Sequence, residues 1–169
     1  MARHIVVVGL MGSGKTTVGK ALADALGWRH RDSDAELEAT NGRTARELAD
    51  DIGIQPLHDL ELAQLLDAVA ASEPSVISAA ASTIDEPDGR AALADPGVFV
   101  VWLHVDPTTA GRRARPGDHR PQPEALAVQA ARRDPLFAAV ADVALEAGQP
   151  VEANVATVLD RLTGSSAAG

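Results

Sequence analysis

The chain has 169 residues, 46% of them hydrophobic, and no cysteine. That suits a single domain with a real core and excludes disulfides and thiolate metal sites. Its net charge of −9 is a poor match for a polyanion, so nucleic acid is not an expected partner. No apolar run reaches the ~20 residues a membrane helix needs, and the start is too short for a signal peptide, so a cytoplasmic protein with no membrane partner is expected.

In chain order, "HIVVVG" (4–9) reads as a strand buried on both faces. "KTTVGKALADAL" follows as an amphipathic helix stopped by Gly27, then "WRHRD" as a short extended piece. "DAELEATNG" and "TARELADDIG" read as two short helices, and "QPLHDLELAQLLDAVAAS" as a longer one. "SVISAA" is a strand, "GRAALAD" a helix and "GVFVVWLHV" a second clear buried strand. A helix from Pro107, the proline-rich "RPGDHRPQPEA", a helix through Arg133, the strand "DVALEA" and the helix "VEANVATVLDRL" complete the chain, with "TGSSAAG" as a frayed tail. This alternation argues for an α/β fold with a parallel sheet and helices on both faces, in one domain over 1–164. The tail over 165–169 is expected to be disordered.

"GLMGSGKTT" follows the first strand and opens the first helix, and Gly9, Gly14, Lys15 and Thr16 fill the template G-x-x-x-x-G-K-[ST]. The chain's own frequencies give roughly 0.001 expected chance matches to that template. Such a loop aims successive backbone N–H groups and a helix N-terminus at phosphate oxygens. Gly12 and Gly14 allow close approach, Lys15 adds charge at the β and γ phosphates, and the Thr16 hydroxyl can ligate Mg²⁺. Ser13 and Thr17 complete the nucleotide-binding stretch. The motif says nucleoside triphosphate without saying what becomes of the phosphate.

In "HRDSDAELE", Asp32 and Asp34 stand two apart. In extended chain that spacing sends both carboxylates to one side, at the strand end where ligands bind in open α/β sheets. One can hold Mg²⁺ or its water while the other accepts a hydroxyl proton. Ser33 and Glu36 also fit a capping box, which would leave both aspartates free. Further on, Arg112, Arg113, Arg115, Arg120, Arg132 and Arg133 face only Asp118 and Glu124 between Pro107 and Arg133. That local positive excess is either a solvated face or a phosphate-closing lid. The scattered histidines show no metal-ligand spacing, Trp28 and Trp102 read as core, and aromatics at 2% leave no base-stacking platform.

Taken together, "GLMGSGKTTVGKALADALG", "DSD", "NGRTARELA", "GRAALAD", "FVVWLHV", "GRRARPGDHRP" and "RRDPLF" resemble the shikimate kinases, nucleoside-monophosphate-kinase-like members of the phosphate-loop proteins, over nearly the whole chain. The resemblance implies a three-layer fold with a five-stranded parallel sheet, a lid near 112–123 that is mobile until nucleotide arrives, and a monomer. It implies ATP as co-substrate and Mg²⁺ as cofactor, with Thr16 and Asp32 on the metal and Asp34 binding and activating the acceptor hydroxyl. It also implies Arg113 against adenine, Arg120 as the catalytic lid arginine beside Lys15, Pro150 bordering the base, and Arg133 on the acceptor, with Phe137 where the family carries tyrosine.

The departures gather on the acceptor half. His58 stands where the family has a carboxylate-binding arginine, exchanging a fixed charged fork for at most one donor. Ala79, Ala80 and Ala81, in a register open to a shift by one, replace a glycine triplet, each adding a methyl group where a ligand could lie against backbone. The lid is shorter than is usual, with "RPQP" in place of R-P-L-L. The expected activity is transfer of the γ-phosphoryl of ATP to a hydroxyl of shikimate or a similar small hydroxy acid, in aromatic amino acid biosynthesis. The alternative is a nucleotide-binding relative with an altered acceptor or no kinase activity.

Overall fold

Five short strands, β1 (His4–Val8), β2 (Arg29–Asp32), β3 (Ser75–Ser78), β4 (Val98–His104) and β5 (Val143–Glu146), pair in parallel in the order β2-β3-β1-β4-β5. The computed structural model describes residues 2–113 and 125–166. β1 (His4–Val8) lies at the centre, and its burial from end to end explains its unbroken apolar run. α1 (Lys15–Leu26) and α8 (Val151–Ser166) pack together on one face, where Ile5, Val7, Leu22 and Val158 are fully buried. Side chains of this size contribute about 1.5–3 kcal/mol each when removed from water. The other face carries α4 (Ile54–Ala70), α5 (Pro87–Leu93) and α7 (Leu126–Val140) over Val6, Leu65, Val100 and Phe137. The three-layer parallel architecture expected from the alternation is the one observed.

The remaining elements frame the carboxyl ends of the strands. β2 (Arg29–Asp32) runs straight into α2 (Ser33–Asn41), which leads to α3 (Ala45–Ile52). β3 (Ser75–Ser78) continues through Ala79 into a short 3-10 helix, Ala81–Asp85. β4 (Val98–His104) feeds α6 (Pro107–Arg113), and β5 (Val143–Glu146) feeds α8. His4 is buried as a structural clip, its ring bonded to the Ser75 hydroxyl and the Ala71 carbonyl.

Three local expectations are corrected. The cap of α2 is Asp32, whose side chain accepts from the Ala35 N–H; the Ser33 hydroxyl instead accepts from the Gln64 amide, and Glu36 pairs with Arg31. The capping box forms one helix later, where Thr44 and Glu47 bond each other's backbone at the start of α3. α7 continues past Arg133 to Val140 with Pro135 inside it, because burial of Phe137 against Trp102 on β4 outweighs the one backbone bond that proline removes. α8 runs through Thr163 to Ser166, where a frayed tail was expected. Most of the lid, with Arg115 and Arg120, and residues 167–169 lie outside the described residues.

Candidate active site

The loop between β1 and α1 supplies the base of the site. Gly12 and Gly14 sit at φ +80° and +91°, conformations closed to most side chains. A Cβ on Gly12 would also lie 2.8 Å from the Ala110 carbonyl oxygen, so this glycine lets the loop rest on α6. The Lys15 ammonium donates back to the Gly9 and Leu10 carbonyls at 2.8 and 3.0 Å. Arg113, at the end of α6, donates to the Gly12 carbonyl at 3.3 Å. Ser13 is 2% exposed and, among the described residues, its hydroxyl has no hydrogen-bond partner. A buried polar atom left unbonded is costly unless a ligand completes it, and a phosphate oxygen would do so here.

Across the cleft, Thr16 Oγ1 donates to Asp32 Oδ2 at 2.5 Å while Asp32 Oδ1 holds the Ala35 N–H. A hydroxyl and a carboxylate are the hard oxygen donors that Mg²⁺ accepts. Asp34 stands in the first turn of α2, where the helix dipole favours a carboxylate. The extended-chain argument for the pair is therefore replaced: Asp32 ends a strand, Asp34 begins a helix, and the turn between them brings both to the same cleft. That cleft has a volume of about 430 Å³ and is lined by the phosphate loop with Asp32, Asp34, Ser78, Ala79 and Arg113.

Ser78 carried no signal in the sequence. Its hydroxyl donates to the Lys15 carbonyl at 2.9 Å and lies 2.9 Å from His30 Nε2. The hydroxyl proton is committed to the carbonyl, so the imidazole donates its Nε2–H. β2, β3 and α1 are joined at one atom, the Ser78 oxygen. Gly19 makes room for it, since a Cβ there would meet Ser78 Oγ at 2.3 Å. Burial lowers the His30 pKa, with Asp32 opposing. Arg31 holds Glu36 at 2.8 and 3.0 Å and Asp67 at 2.9 Å, and these bonds raise its pKa further.

The acceptor half divides differently. Ala79, Ala80 and Ala81 are all buried, and among the described residues none other than glycine has positive φ, so alanines fit here without strain. Ala79 lines the main cleft, while Ala80 lines a small cavity beside it with Glu61, Gln64 and Leu65 of α4. His58 lies one turn before Glu61 on that helix and is half-buried. Arg133 is buried away from the cleft lining, its guanidinium bonded to Asp85 and Gln129. Pro150 is exposed at the start of α8.

A model of the shikimate kinase family matches residues 11–163. The chain belongs to the shikimate kinase family. Membership makes it an ATP-dependent kinase, in line with the intact phosphate loop. It is 38% identical over 148 residues to the shikimate kinase of Symbiobacterium thermophilum, covering 83% of this chain and 84% of that one. With the shikimate kinase of Ralstonia nicotianae it shares 33% over 162 residues, covering 92% and 84%. Its fold is also similar to that of the shikimate kinase from Acinetobacter baumannii in complex with shikimate, at a TM-score of 0.86 and 29% identity over 98% of this chain and 95% of that one. No helix among the described residues is long and apolar enough to cross a membrane.

Proposed function

We propose that this kinase transfers the γ-phosphoryl group of ATP to a hydroxyl of shikimate or a similar small hydroxy acid, with Asp34 receiving the hydroxyl proton. The observation that carries the reading is the shared cleft of about 430 Å³, which Asp34 lines together with Lys15 and Thr16. Gly12, Ser13, Gly14, Lys15, Thr16 and Thr17 would hold the triphosphate, and Arg113 and Pro150 would border the base. Thr16 and Asp32 would hold Mg²⁺, which would supply positive charge to offset that of the phosphates.

In the reaction, Lys15 leaves the Gly9 and Leu10 carbonyls for the phosphates, and its charge stabilises the transferring group. Asp34 orients the acceptor hydroxyl and accepts its proton as the new P–O bond forms and the bond to ADP breaks. Ala79 and Ala80, with His58 on α4, would form the acceptor wall. Arg120 of the lid would add charge at the transferring group.

Turnover should be measured as ATP consumption over a panel of hydroxylated acids and polyols, with Lys15→Ala as the blank. Acceptor-dependent consumption above the blank supports phosphotransfer. ATP binding with no acceptor-dependent turnover would overturn it and leave a nucleotide-binding relative without kinase activity.

A further inference from the structure

Gln64 of α4 grips the turn of α2 that carries Asp34. Its amide nitrogen donates to the Ser33 hydroxyl at 2.9 Å and to the Ser33 carbonyl at 3.2 Å, and its amide oxygen accepts from the Leu37 N–H at 3.0 Å. This orientation gives the oxygen a donor and the nitrogen two acceptors. The Ser33 carbonyl and the Leu37 N–H are the two ends of one helical turn, so a single side chain spans that turn from outside. Ser33 and Leu37 are both buried, which keeps water from competing for these bonds. Asp34 follows Ser33 directly and lines the cleft with Lys15 and Thr16. Gln64 lies behind that cleft: with Ser33 and Glu61 it lines the small cavity on the far side of Ala79.

We infer that Gln64 is a positioning residue for phosphoryl transfer, acting through Asp34. The inference rests on the reading that Asp34 receives the acceptor's proton. The other anchors of this turn come from β2: Asp32 caps the helix at the Ala35 N–H, and Arg31 pairs with Glu36. They fix where α2 starts. Gln64 ties the turn to α4, and so fixes its rotation about the helix axis and with it the direction of the Asp34 side chain. Proton transfer from a bound hydroxyl depends on that direction, because an error of about 1 Å at a reacting group costs roughly 100-fold in rate.

The test is single-turnover transfer from ATP to shikimate, whose rate constant counts folded enzyme only, in the parent, Gln64→Met, Asp34→Asn and the double variant. Gln64→Met keeps the length and helix preference of the side chain and removes its bonds to Ser33 and Leu37. It should slow transfer by about 10- to 100-fold, with the Kd for ATP within about twofold of the parent's. In the Asp34→Asn background the same change should cost less than about twofold, because the group it positions is already gone. Ser33→Ala removes only the bond at the hydroxyl; it should show the same pattern on a smaller scale, and it decides the matter if Gln64→Met fails to fold. Hydrogen exchange at the Leu37 amide should also be about tenfold faster in Gln64→Met. Transfer by folded Gln64→Met at the parent rate, or equal slowing with and without the Asp34 carboxylate, overturns the inference. So does a Leu37 amide as well protected in Gln64→Met as in the parent, a readout that needs no turnover. Asp34→Asn at the parent rate would instead sink the proton-acceptor reading, and this inference with it.

Discussion

Thr16 Oγ1 donates to Asp32 Oδ2 at 2.5 Å, joining the first turn of the phosphate-binding helix to the end of β2. The same carboxylate caps α2 through Oδ1. One side chain therefore sets the distance between the phosphate loop and the helix that bears Asp34. Asp32→Ala should remove the cap, a loss of about 1 kcal/mol in thermal unfolding. Thr16→Val should leave the cap in place and lower kcat by about 100- to 1000-fold, through the hydroxyl alone. Equal losses of stability in the two variants would contradict the division of labour.

Ser78 acts through Lys15. Ser78→Ala removes the bond to the Lys15 carbonyl and leaves His30 without its acceptor. The expected result is a KM for ATP raised several-fold, with kcat moved less. A fall in kcat with KM unchanged would mean that Ser78 has some other role.

His30 also makes stability depend on pH. Burial holds its pKa below the ordinary 6.5, so the unfolded chain takes up a proton first as pH falls through that value. The folded state is then penalised on the acid side, and this contribution is recovered as pH rises above 6.5. His30→Gln keeps a donor for Ser78 and removes the titration. Its Tm should fall by about two degrees less than the parent's between about pH 7.5 and about pH 5. A parallel fall in both proteins would contradict the mechanism.

Gly12 and Gly19 are constrained differently. Gly12→Ala meets both a positive φ and the Ala110 carbonyl at 2.8 Å, while Gly19→Ala meets Ser78 Oγ at 2.3 Å and His30 Nε2 at 2.8 Å. Both should destabilise the fold by about 1–3 kcal/mol in denaturant titrations. Adding Ser78→Ala should partly rescue Gly19→Ala and do nothing for Gly12→Ala.

The central strands and the phosphate loop were legible because their signals are local: a continuous apolar run for β1 and β4, and one spacing of glycines, Lys15 and Thr16. The approach of Asp32 and Asp34 was also foreseen, though by the wrong local geometry. A rule based on residue type alone places a capping box at Ser33 as readily as at Thr44, and the structure decides by ending β2 at Asp32. Ser78 and Asp85 were invisible because their partners lie 63 and 48 positions away in the chain, and neither belongs to a motif of its own. The alanine run raised the expectation of methyl groups crowding the acceptor. In the fold these residues are buried in the wall, and the cleft stays open.

The most direct measurement is single-turnover phosphoryl transfer by Asp34→Asn, with ATP affinity determined on the same sample. The amide keeps the shape but cannot accept the hydroxyl proton. Transfer should slow by about 100- to 10,000-fold while the Kd for ATP stays within about twofold. Transfer at the parent rate, or a loss confined to ATP binding, would contradict the role given to Asp34.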